Sequence, residues 1–102
     1  MENISMNLIL HSGNATTLGY EALDLIKNDD YDQAKELLKE AQKEQSLAHK
    51  VQTELLVAHA KNEKVELDIL LVHAQCHLMN SILLVDMAEK MIEIFEFKSK
   101  NK

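Results

Sequence analysis

At 102 residues the chain suits one domain with a modest core and is short for two. Apolar residues make up 46% and aromatics only 4%, proline is absent, and glycine occurs twice, at Gly13 and Gly19, which excludes a turn-rich β protein and points to long helices. The net charge of −6, with lysine as the sole basic side chain apart from histidine, removes the usual residue for bidentate recognition of phosphates and bases and argues against nucleic acid as a partner.

The first predicted element runs from Ile4 to Ile26, where Ile4, Leu8, Ile9, Ala15, Leu18, Ala22, Leu25 and Ile26 recur at mostly helical spacing. Both glycines fall inside it, so a close helix contact, or a kink near Gly13, is expected. Asn28-Asp29-Asp30 reads as a turn in which Asp30 caps the next helix, with Gln33 at the third helical position. Helix two then runs from Tyr31 to about Ala60, with an apolar set from Ala34 to Ala58 and lysine and glutamate on the other side. Asn62-Glu63-Lys64 breaks the pattern, and Asp68 caps a third helix from Ile69 to Phe97, about 45 Å long at 1.5 Å per residue. Lys98 to Lys102 reads as a frayed polar tail.

Helices of this length in so short a chain predict an all-α fold, a single domain over 1–102 built as a three-helix antiparallel up-down bundle. Helix three carries two apolar stripes, one through Ile69, His73, Cys76, Asn80, Leu83, Met87 and Ile94, the other through Leu70, Ala74, Leu78, Val85, Ala88, Ile92 and Phe95. A protomer needs one of them for its core. The other predicts a parallel, coiled-coil-like association of third helices between subunits. No uninterrupted apolar run reaches the length of about 20 residues that a bilayer span needs. Met1-Glu2-Asn3-Ile4 lacks the basic and apolar regions of a secretory signal, and the single cysteine fits a reducing compartment, so a soluble cytoplasmic protein is expected.

Chemistry centres on histidine. His73 and His77 stand four residues apart, on one helical face, where two imidazoles can meet a common atom. The pair has three readings: structural histidines at a helix interface, a metal site completed by Cys76, or a nucleophilic, phosphoryl-accepting histidine. The glycine-rich loops of nucleotide binding and the serine nucleophile elbow are missing, so any group transferred must be donated by another molecule. His11, His49 and His59 read as capping, packing or surface residues. Leu78, Met79 and Leu83 read as core, with an apolar docking surface as the alternative.

The stretch Leu71-Val72-His73-Ala74-Gln75-Cys76-His77-Leu78-Met79 resembles the V-H-A-Q-D-H-L-M signature of the lactose/cellobiose-specific IIA family of the sugar phosphotransferase system. Ala48-His49-Lys50-Val51-Gln52-Thr53 is similar to that family's A-H-x-x-Q-T segment, and His11-Ser12-Gly13-Asn14-Ala15 with Glu21-Ala22 resembles its first segment, so the likeness spans nearly the whole chain.

The resemblance implies a homotrimer of three-helix protomers, nine helices in all, with the active histidines near subunit interfaces. It implies a phosphoryl carrier that takes phosphate from the histidine phosphocarrier protein and passes it to the IIB component for uptake of a lactose-, cellobiose- or chitobiose-type sugar. It involves no direct insertion in the membrane. By position His73 is the phosphoryl acceptor. His77 is the candidate donor to the phosphoryl oxygens, with a structural role as the alternative, and Gln75 is a weaker candidate acting from a neighbouring subunit, since i+2 points away from His73 on its own helix. Cys76 departs from the family, which carries aspartate there and gathers three carboxylates on the threefold axis, where a divalent cation such as magnesium neutralises them. With cysteine no cofactor is expected to be required, the thiol should pack as a small apolar group on the axis, and a soft-metal site of three thiols is the alternative. The rival from another class is a regulatory or structural helical oligomer that does no chemistry.

Overall fold

A computed structural model describes residues 4–65 and 68–101. Met1 to Asn3 of the amino-terminal reading and Lys102 of the tail lie outside the described residues. Three helices follow one another, α1 (Ile4–Ile26), α2 (Tyr31–Ala60) and α3 (Ile69–Lys100), in a rod measuring 57 × 20 × 18 Å.

Helices α1 and α2 end in the same local device. At the end of α1 the Asp30 amide donates to Leu25 O and the Asp29 amide to Ile26 O; at the end of α2 the Glu63 amide donates to Ala58 O and the Asn62 amide to His59 O. These crossed pairs form Schellman turns, which need one residue in the left-handed region, and Asp29 (φ 57°) and Asn62 (φ 61°) supply it. Short polar side chains tolerate that conformation better than most, so the turns form without glycine. The following helices start on carboxylate caps, as predicted: Asp30 Oδ1 accepts from the Gln33 amide at 3.2 Å and Asp68 Oδ1 from the Leu71 amide at 2.8 Å.

The frayed tail is corrected. α3 continues through Lys98 and Ser99 to Lys100, closed by the Asn101 backbone amide and Nδ2, both donating to Phe97 O. Lys98 and Lys100 lie in the last turn, where positive charge favours the exposed carbonyls, and Lys100 also reaches Glu96 at 3.8 Å.

The core follows a seven-residue repeat on every helix. α1 buries Leu8, Ser12, Ala15, Gly19 and Ala22; α2 buries Ala34, Leu38, Ala41, Ala48 and Leu55; α3 buries Leu71, Ala74, Leu78, Ser81, Val85, Ala88 and Ile92. On α3 small residues alternate with leucine, valine and isoleucine, while the seams of α1 and α2 are mostly alanine, serine and glycine, so small positions admit large ones and the axes approach closely. Gly19 shows the requirement directly: a Cβ placed there would stand 3.3 Å from Leu84 Cδ2, whereas Gly13 has nothing within 4 Å. The expected close contact is therefore at Gly19. Two apolar clusters result. One, with Val85 and Ile92, lies toward the α1–α2 turn; the other, with Leu8, Leu71 and Leu78, underlies the end of the rod that carries the two α3 histidines. Of the three residues read as core on α3, Leu78 is fully buried, while Met79 and Leu83 are exposed.

α3 is long and apolar enough to cross a membrane by length and composition, although no uninterrupted apolar run in the sequence is long enough. The averaged stretch includes interruptions that the strict reading counts. His73, Gln75, His77, Asn80 and Ser81 would be costly in hydrocarbon, and the inner face of the helix is committed to α1 and α2.

Candidate functional site: a histidine pair on the outer face of helix three

His73 and His77 stand one turn apart in the middle of a regular helix, so the backbone fixes their relative position before the side chains choose rotamers. Ala74 and Leu78, each one residue along from a histidine, point inward and are fully buried. The phase of the core repeat thereby turns both imidazoles outward: His73 is exposed and His77 half-buried. Their Nε2 atoms lie 2.9 Å apart, with the rings edge to face at 84° and their centres 4.5 Å apart. That separation is a hydrogen bond, in which one Nε2–H donates to the lone pair of the other. With His77 as donor, His73 carries its proton on Nδ1 and presents an accepting Nε2 at the surface.

The other predicted residues separate from this pair. Gln75 is half-buried and turned toward α2, where its Oε1 accepts from Gln52 Nε2 at 2.5 Å. The second and third sequence segments thus meet through their glutamines. Cys76 is exposed as a free thiol in the protomer; its expected interior place has no counterpart within a single chain. No group of three or more His, Cys, Asp or Glu side chains able to hold a metal occurs among the described residues. A hard cation such as magnesium prefers oxygen, which the Cys76 thiol does not offer, so the residues present do not fit that ion.

His11 takes a place that sequence patterning missed. Its Nδ1 lies 2.7 Å from Glu44 Oε2, and Asn14 Nδ2 donates to Glu44 Oε1 at 2.8 Å, so two residues of the first segment clasp one carboxylate on α2. The hydrogen bond from His11 is the main cause of a Glu44 carboxyl held below its ordinary range; burial opposes it and Asn14 adds to it. The only available signal was the helical phase of His11 and Asn14, since the partner is 33 residues from His11. His49 and His59 are exposed, as their surface reading requires, with His49 beside Ile82 and Asp86 in a shallow groove between α2 and α3.

Around the pair, the outer face of α3 exposes Val72, Met79, Leu83, Met87 and Ile94. These side chains share one helical face and form an apolar strip that holds the Cys76 thiol and is bordered by the two imidazoles, a contiguous arrangement and not singly scattered surface hydrophobics.

Comparison with known proteins gives one consistent result. The family described as the lactose/cellobiose-specific IIA subunit of the PTS system matches residues 3–96. The lichenan-specific phosphotransferase enzyme IIA component of Bacillus subtilis (strain 168) is 44% identical over 96 residues, covering 94% of this chain and 87% of its own. Among solved structures, the PTS cellobiose-specific enzyme IIA from Bacillus anthracis superposes with a TM-score of 0.93 at 38% identity, covering 99% of this chain and 93% of that one. The IIA(chitobiose)–HPr complex of the N,N'-diacetylchitobiose branch of the Escherichia coli phosphotransferase system gives a TM-score of 0.81 at 37% identity, with 96% and 95% covered.

Proposed function

The chain belongs to the lactose/cellobiose-specific IIA family of the sugar phosphotransferase system and is a phosphoryl carrier of that system, and we propose that its acceptor atom is Nε2 of His73. The observation that carries this reading is the 2.9 Å contact between two outward-facing imidazoles on a helix that is otherwise ordinary. The donor is the histidine phosphocarrier protein, in keeping with the HPr complex formed by a structural relative, and the recipient is the IIB component.

The chemistry asks little of the fold beyond positioning. In-line transfer forms the bond from His73 Nε2 to phosphorus while the donor's N–P bond breaks and its electron pair returns to the donor imidazole. Charge spreads over the three equatorial oxygens. His77, already placed to donate to Nε2 of His73, moves its N–H to one of these oxygens as the nucleophile is consumed, which stabilises the transition state and holds the product. Gln75 is occupied by Gln52, so its role is to fix the α2–α3 seam beside the pair and not to touch phosphate from its own chain.

We read the exposed apolar strip as the surface by which copies of the chain associate through α3, as trimers, with Cys76 enclosed at the centre and no hard cation required. The setting is the cytoplasm, where the phosphocarrier and the cytoplasmic face of a sugar permease meet. A particular sugar is not written in the site, because the partners it meets are proteins; the relatives named for lichenan, cellobiose and chitobiose span several β-linked sugars.

The test is incubation with phosphoenolpyruvate, the general phosphotransferase enzyme and the histidine phosphocarrier protein, followed by intact-mass analysis at neutral and acid pH. One phosphate adduct, removed by acid and missing in His73→Ala, is expected. A folded wild-type chain that takes no phosphate would overturn the carrier reading and favour a regulatory oligomer.

A further inference from the structure

We propose that His73 and His77 together chelate a divalent transition cation through their Nε2 atoms, and that the loaded pair cannot accept a phosphoryl group; the second half rests on the carrier reading, the first does not.

Two imidazoles four residues apart on a helix form a bidentate unit whose spacing the backbone has already set, so little ordering entropy opposes metal capture. Here the two nitrogens face each other at 2.9 Å. With metal–nitrogen bonds of about 2.05 Å, an N–metal–N angle near 90° places the nitrogens about 2.9 Å apart, whereas a tetrahedral angle needs about 3.3 Å. The distance matches adjacent corners of an octahedral or tetragonal site, the preference of nickel and copper; to bind, the rings rotate so that their lone pairs leave the nitrogen–nitrogen line of the hydrogen bond and converge on the ion, and a slightly wider opening suits zinc. Neutral imidazole does not suit magnesium or calcium. With no third side chain near enough to complete a closed site among the described residues, water fills the remaining positions, and affinity is that of an exchangeable ion.

The ion needs the lone pair on Nε2 of both rings, so the proton shared between them must leave that position, with the rings held as Nδ1–H tautomers. The lone pair of His73 that binds metal is the one that attacks phosphorus. Metal and phosphoryl group consequently exclude one another, and by linkage each weakens the other by the same factor.

Calorimetric titration of the full chain with Ni2+ in chelator-free buffer near neutral pH tests the chelate. One ion per chain in the micromolar range is expected, weakened about tenfold or more in His73→Ala and in His77→Ala. Cys76→Ser, with helicity checked by circular dichroism, should keep the affinity within about twofold. Wild-type affinity in either histidine variant, or loss of binding in Cys76→Ser, would overturn the proposal, the latter by placing the ion on thiols. Repeating the titration on phosphorylated chain separates the two halves: lost binding supports mutual exclusion and unchanged binding refutes it. Ni2+ binding by a chain that takes no phosphate even without metal sinks the carrier reading and leaves the chelate, whereas phosphate uptake without Ni2+ binding sinks the chelate alone.

Discussion

Along its inner face α3 buries Leu71, Ala74, Leu78, Ser81, Val85, Ala88 and Ile92; along its outer face it exposes Val72, His73, Cys76, Met79, Leu83, Met87 and Ile94. The two sets are equally helical and nearly equally apolar, so hydrophobicity does not decide which one becomes the core. Size does. The inner face alternates small and large residues and fits against the alanine- and glycine-rich seams of α1 and α2, while the outer face carries larger side chains and finds no complement in its own chain. The proposed acceptor His73 lies on the face that folding of the protomer leaves exposed, and the backbone that holds it is made rigid by the packing of the opposite face.

If the division is right, the two faces should respond to substitution in different currencies. His73→Ala, on the outer face, should abolish phosphate uptake in the reconstituted relay while leaving the denaturation midpoint unchanged, because its ring is solvent-exposed. A variant that also lost stability would show that the outer face contributes to the protomer fold. Leu78→Ala, on the inner face, removes a fully buried side chain and should cost about 2–5 kcal/mol in urea unfolding. If that variant is as stable as wild type, the assignment of the inner face fails. Leu83→Glu should be milder for the protomer: helicity by circular dichroism is retained, and light scattering coupled to gel filtration shows a shift to smaller species, since a charge now interrupts the exposed strip. An unchanged assembly would place association on a surface other than α3.

The same contrast explains what could be read in advance. The bounds of α1 and α2 and the start of α3 follow from local rules, because Asp30 and Asp68 are carboxylates where helices need caps and the apolar positions keep helical period. The excess apolar face of α3 is visible for the same reason. The composition of the inner seam is less so: Leu71 and Ser81 belong to it while Leu70 and Phe95 do not, because a stripe is defined by its phase against the neighbouring helices and a buried serine leaves no apolar mark. Ser81 satisfies its hydroxyl on Leu78 O at 2.8 Å, which only the backbone path reveals. The continuation of α3 through Lys98 to Lys100 is hidden behind polar residues that resemble a tail yet suit the negative end of a helix. His73 and His77 are legible as a pair from their spacing, but the 2.9 Å approach of their nitrogens is a matter of rotamers. Pairings between helices, Gln52 with Gln75 and His11 with Glu44, lie beyond any periodicity in one segment.

The His11–Glu44 pair supplies the smallest effect and a control on the comparison, since it joins α1 to α2 and belongs to neither face of α3. The hydrogen bond from His11, opposed by burial and aided by Asn14, lowers the folded-state carboxyl of Glu44 below its unfolded value. The unfolded chain therefore takes up this proton at higher pH than the folded chain does. The stabilisation is full above the unfolded carboxylate range and fades as pH falls through the lower, folded value. Glu44→Gln should lose about 1 kcal/mol or less in urea unfolding at pH 7, and the deficit should shrink in acid once the wild-type carboxyl is protonated. Phosphate uptake by His73 should be unaffected at neutral pH. A deficit that stays constant into acid would mean that Glu44 contributes through packing instead of charge, and the clasp between α1 and α2 would then be a matter of shape, like the inner face of α3.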